Sequence, residues 1–152
     1  MNVSLKFSIK SYTELSKDEL YALLQLRAEV FVVEQDCAYQ DVDGKDQEAL
    51  HVLGYKNEKL VAYTRIFPPG AYFEKASIGR VMVRASERSF KYGYEVMNVS
   101  IQAIKDVYQT SAIKISAQTY LLSFYNKLGF VAEGEEYLED GIPHMAMYYS
   151  GQ

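Results

Sequence analysis

Three cations and a glycine stand close together in the stretch Val83-Arg84-Ala-Ser-Glu-Arg88-Ser-Phe-Lys91-Tyr-Gly93-Tyr94, just ahead of a helical pattern. A helix that begins here turns its unpaired N–H groups and the positive end of its dipole outward, which makes a ready site for phosphate. Arg88 and Lys91 add charge, and Gly93 has no Cβ to keep a ligand from the backbone. Other titratable residues suit proton transfer. Glu34, His51 and His144 are candidate bases, and a carboxylate or a water relay is the favoured form. The run Asp41-Val-Asp43-Gly44-Lys-Asp46 has some features of a calcium loop, but its glycine comes too early and Val52 stands where a bidentate glutamate is needed. Cys37, His51 and His144 include no close ligand pair, so neither zinc nor any other metal is expected.

The elements that position these residues follow from spacing. Ser16-Lys-Asp-Glu19 is a capping box, and Leu20, Leu23, Leu24, Arg27, Val30 and Phe31 continue from it as a helical stripe facing a sheet. Arg27 on that face is expected to pair with an acid such as Glu34. Residues 35–47 read as a loop or short irregular helix. His51–Tyr55 and Leu60–Phe67, joined by a polar turn, read as a hairpin that ends at Pro68-Pro69-Gly70. Ser77–Val83 reads as a central strand, Tyr94–Tyr108 as a helix, Ala112–Ala117 as a strand and Tyr120–Leu128 as a short helix closed by Gly129. Phe130–Ala132 and Met145–Tyr149 form a last pair. The result is a single alternating α/β domain (α+β in some schemes) over residues 1–152, with a mixed sheet flanked by helices. An exposed edge strand near the C-terminus leaves room for a homodimer.

Composition narrows the function. A net charge of -4 gives no global positive field, so nucleic acid and anionic membranes are poor partners. No stretch approaches the ~20 apolar residues of a membrane span. The single cysteine excludes an internal disulfide, which suits a reducing, cytoplasmic setting.

The turn at 88–93 resembles motif A of the GNAT acetyltransferases, [QR]-x-x-G-x-[GA], with Arg88 and Gly93 in place and Lys91 standing where the first glycine is expected. Phe124-Tyr125-Asn-Lys-Leu128-Gly129-Phe130 is similar to motif B, F-Y-x-x-L-G-F, at every fixed position. Leu26–Gln35 and Glu139–His144 resemble the ElaA-type branch of that superfamily, so the likeness spans nearly the whole chain. It implies a mostly antiparallel sheet with a V-shaped split between two central strands. It also implies acetyl-coenzyme A as cosubstrate, held by Val81, Met82 and Val83, by the 88–94 turn (Arg88, Ser89, Lys91, Tyr92, Gly93, Tyr94) and by Phe124. A main-chain N–H near Val81 or Met82 would polarise the thioester, and Tyr125 would protonate the departing thiolate. The implied activity is direct N-acetyl transfer to an amine on a small molecule or protein. The alternatives are a non-catalytic acyl-coenzyme A-binding module and an acyltransferase using longer acyl chains.

Overall fold

The computed structural model describes residues 4–150. Seven strands and three α-helices follow one another as β1 (Lys6–Ser11), α1 (Lys17–Arg27), β2 (Leu50–Lys56), β3 (Lys59–Phe67), β4 (Ala76–Val83), α2 (Tyr92–Tyr108), β5 (Ile113–Gln118), α3 (Leu122–Lys127), β6 (Phe130–Glu139) and β7 (Ile142–Tyr149). The strands make one sheet in the order β1-β2-β3-β4-β5-β7-β6, antiparallel throughout except where β4 runs parallel to β5. This is the mixed α/β architecture expected from the sequence. The polar composition of the first twenty residues conceals β1, an edge strand in which Phe7 and Ile9 alternate with Lys6, Ser8 and Lys10.

The helices start and stop for local reasons. Ser16 caps α1 as predicted: its hydroxyl accepts from Glu19 N–H at 3.0 Å, and the Glu19 carboxylate accepts from Ser16 N–H at 2.8 Å. The apolar stripe then continues past Arg27 through a π-helical turn, Ala28–Glu34. Such a turn carries an extra residue per loop of chain and is frequent at functional sites. A 3-10 turn at Thr119–Leu121 leads into α3, so the Tyr120–Leu128 segment is only partly α-helical.

Each sheet face carries its own apolar layer. On one side Val96, Met97, Ile101 and Ile104 of α2 pack on Val52, Val61, Ile66, Ile78 and Ile113. On the other, Leu23, Leu26 and Val30 pack on Leu53, Leu60, Tyr63 and Met82. Each buried aliphatic side chain contributes about 1.5–3 kcal/mol. Strict alternation along β4 would put Met82 beside Ile78 on the α2 side, yet Met82 lies against α1. The cause is a bulge: Gly79 pairs with Arg65 and Met82 with Tyr63, so Arg80 and Val81 together oppose Thr64.

Beyond Ser77 the sheet parts. β4 and β5 pair only at Ala76↔Ile113 and Ser77↔Lys114, whereas β5 stays with β7 from Lys114↔Tyr148 to Gln118↔His144. The last two strands are longer than the sequence suggests, because Asp140 and Gly141, with φ of 52° and 76°, turn them as a tight hairpin. His144 therefore sits within a strand. β6 is the outer edge, and its exposed Glu133, Glu135 and Glu136 work against pairing two such edges in a homodimer.

Candidate active site

The split between β4 and β5 opens into a cavity of about 470 Å³. Val81, Met82 and Val83 line it from β4, Lys91, Gly93 and Tyr94 from the start of α2, and Phe124 and Tyr125 from α3. Glu34, Arg88 and His144 complete the predicted set that the fold brings together. Three predicted residues stand outside the lining: Ser89, Tyr92 and His51. Tyr92 is fully buried under α2, and His51 is fully buried in β2.

His51 has a structural assignment. Asp46 offers its ring only a main-chain carbonyl, 2.9 Å from Nε2, so Nε2 carries the proton and Nδ1 accepts from the Tyr63 hydroxyl at 2.6 Å. Burial, reinforced by Arg27 and Arg65, holds its pKa below the usual histidine value. This neutral ring, with both nitrogens engaged away from the cavity, is not placed to serve as a base.

The residues that look like a calcium loop are instead gripped by arginines. Arg27 binds Asp41 through Nε at 2.8 Å and Asp46 through Nη1 at 2.7 Å. Arg65 binds Asp46 at 2.9 Å and Asp43 at 2.8 Å, and Arg80 binds Asp41 at 2.8 Å. The partner expected for Arg27, Glu34, lies elsewhere. Burial alone would raise the pKa of Asp43, but Arg65 and Arg80 bring it down to about 2. Alternating charges let a polar segment cross the protein with its carboxylates neutralised. The network fixes the loop that carries Cys37 and Tyr39 onto the cavity wall.

Glu34 ends the π-helical turn and forms a two-pronged ion pair with Arg88, whose Nη2 stands 2.8 Å from Oε1 and whose Nη1 meets Oε2. The Arg88 hydrogen bond is the main cause that keeps the Glu34 carboxyl below its usual value. Arg88 Nε donates to the Val83 carbonyl at 2.9 Å. Arg88, expected from the sequence to meet a phosphate, thus braces the end of β4 and is engaged by Glu34 and the Val83 carbonyl. Among the described residues, Lys91 is the cation of the 80–91 group with no carboxylate partner. It caps α2, which begins at Tyr92 and not at Tyr94, in the left-handed conformation with φ 64° and ψ 26°. That is the backbone shape a glycine would take with less strain. Gly93 meets the Phe124 ring, so its lack of a Cβ serves helix packing.

On the opposite wall, His144 Nδ1 lies 2.7 Å from the Ile142 carbonyl, which can only accept. Nδ1 therefore carries a proton, and Nε2 stands 3.7 Å from a Glu139 oxygen. Ser116 donates to Glu139 at 2.8 Å and contacts the Tyr137 hydroxyl. Tyr137 stacks on the His144 ring. Ser116, Gln118 and Glu139 were missed in the sequence. Glu139 opens a stretch that resembles the ElaA-type branch but no motif marks Ser116 or Gln118, and the strand register of Gln118↔His144↔Tyr137 brings them together.

A parted sheet, the N-terminus of α2 at its mouth and a buried tyrosine beneath are features of the coenzyme A-dependent acyltransferase fold. Residues 12–150 match the acetyltransferase (GNAT) domain, and the chain belongs to this family. It is 44% identical over 138 residues to Escherichia coli protein ElaA, covering 90% of each chain. The crystal structure of an acyl-CoA N-acyltransferase from Pseudomonas aeruginosa superposes with a TM-score of 0.90 at 40% identity, over 97% of this chain and all of that one. The crystal structure of E. coli ElaA gives 0.89 at 40% identity, over 96% and 99%.

Proposed function

We propose that the chain moves an acetyl group from acetyl-coenzyme A directly to a primary amine, with residues 1–152 acting as one catalytic domain in the cytoplasm. The observation that carries this reading is the two-pair contact between β4 and β5, which leaves main chain from Gly79 onward facing the gap that leads to the start of α2. The residues present fit the cosubstrate: free strand edge for the pantetheine arm, and helix N–H groups with the Lys91 ammonium for the diphosphate. When bound, acetyl-coenzyme A supplies an activated thioester.

The chain's own groups then divide the work. His144 Nε2 takes the proton from the amine as its nitrogen forms the new bond to the acyl carbon. Glu139, beside it, steadies the imidazolium. A main-chain N–H at Val81 or Met82, beside the bulge at Arg80 and Val81, donates to the acyl oxygen as negative charge develops. Tyr125 gives its proton to the sulfur as the carbon–sulfur bond breaks. Burial raises the pKa of Tyr125, so this hydroxyl remains protonated until it is needed. Glu34, held by Arg88, is the weaker candidate base.

Calorimetry with acetyl-coenzyme A, followed by thiol release in the presence of amines, tests the proposal. Saturable binding and amine-dependent thiol release are expected. No binding at near-millimolar ligand would remove the cosubstrate premise, and binding without release to any amine would favour an acyl-coenzyme A-sensing module.

A further inference from the structure

The cavity's charges sort by partner, and the sorting points to the acceptor. Of its cations, Arg80 is held by Asp41 and Asp43, and Arg88 by Glu34 and the Val83 carbonyl. Lys91 heads the helix assigned above to the diphosphate. None is left to neutralise a carboxylate on the acceptor. The wall around His144 is the reverse. Glu139 and Asp140 line it, and among the described residues the Glu139 carboxylate is partnered by the Ser116 hydroxyl and stands 3.7 Å from His144 Nε2, with no lysine or arginine paired to it. His144 is itself 6% exposed, so its ring is held within this acidic wall.

The same wall is laced from above. Gln35 and Gln118 exchange amide hydrogen bonds at 3.3 and 3.4 Å, which joins the end of the π-helical turn to the end of β5. Cys37 Sγ donates to the Asp140 carbonyl at 3.5 Å, tying the following loop to the β6–β7 turn. A slender aliphatic chain passes such a rim more readily than a residue embedded in a protein.

We propose that the acceptor is a small aliphatic diamine, with a second ammonium and no carboxylate, and that Glu139 is the residue that selects it. This rests on the acyl-transfer reading above. One amine reacts at His144 Nε2, and the other stays charged beside Glu139 and Asp140, where an anion of the same length would meet only repulsion.

The test uses the full chain with acetyl-coenzyme A and four acceptors: a butane diamine, the matching monoamine, the matching amino acid with a carboxylate in place of the second ammonium, and an Nα-acetyl lysine amide. The diamine should exceed each of the others in kcat/KM by about tenfold or more, the scale of one close charge pair. Glu139→Gln should cut the diamine's advantage over the monoamine to about threefold or less, while acetyl-coenzyme A binds as before. If turnover is too slow to rank, calorimetry of the four amines against the coenzyme A complex must give the same order. The inference is overturned if the amino acid or the lysine amide matches the diamine, or if Glu139→Gln leaves the preference intact. Loss of acetyl-coenzyme A binding itself would instead sink the acyl-transfer reading, and the acceptor assignment with it.

Discussion

A Cβ placed on Gly93 would stand 3.2 Å from both Cε1 and Cζ of Phe124, so the first turn of α2 is pressed against the ring of α3. Phe124 in turn meets Tyr94 at 4.7 Å and Tyr125 at 5.0 Å between ring centres. The two stretches that resemble motifs A and B thus form one packed unit beside the split. Gly93→Ala should destabilise the fold by about 1–2 kcal/mol, since the ring must give way. Adding Phe124→Leu should recover much of that loss in a urea titration, and strictly additive costs would count against the contact.

Lys91 separates two effects at one position. Lys91→Gly relieves a left-handed backbone and should leave the unfolding free energy unchanged or raised by about 1 kcal/mol. The same change removes an ammonium, so acetyl-coenzyme A should bind several-fold more weakly, with a shallower dependence on salt. Equal affinity at low and high salt in both proteins would show that Lys91 does not reach the diphosphate.

Tyr125→Phe keeps the aromatic packing against Phe130 and removes only the hydroxyl. Its turnover should fall by about a hundredfold, with acetyl-coenzyme A binding held constant. His144→Gln should lower kcat comparably. An unchanged rate in either variant would strip that residue of its part in proton transfer.

Arg27 is the keystone of the ion network under the 35–47 loop, with no exposed surface. Arg27→Met leaves Asp41 and Asp46 short of a counter-charge and should cost about 3–5 kcal/mol. Asp46→Asn added to it should return part of the loss. Thermal or denaturant unfolding of the single and double variants measures both.

His51 makes the fold acid-sensitive in a definable window. Its pKa is depressed in the native protein, where burial and the nearby Arg27 and Arg65 disfavour the charged ring despite Asp46. The unfolded chain therefore binds the proton more readily. Its contribution is intact above about pH 6.5 and is lost as pH falls toward the native value. The slope approaches one proton, about 1.4 kcal/mol per pH unit. His51→Gln should flatten the unfolding free energy between pH 7 and 5, and an unaltered slope would assign the sensitivity to other groups.

Much of this architecture was legible because local chemistry dictated it. The capping box at Ser16, the hairpin signals of β2 and β3 and the helical spacing through Met97, Ile101 and Ile104 all found their elements. Other features depend on distant partners. The role of Asp41, Asp43 and Asp46 was hidden because sequence does not show that Arg27, Arg65 and Arg80 arrive from three different elements. Met82 changed faces through a bulge whose pivot, Arg80, has a φ of 50° that no residue pattern announced. The bases were indistinguishable in sequence, since what separates His51 from His144 is which carbonyl each ring meets.

The Glu34–Arg88 pair has a consequence for how tightly this protein can hold any anion. Arg88 belongs to the turn ahead of α2, and Glu34 to the turn that leads into the 35–47 loop. An incoming anion that engages the guanidinium must first evict a carboxylate already seated there. The chain thus carries an intramolecular competitor, and affinities measured for the intact protein will understate what its bare guanidinium could achieve.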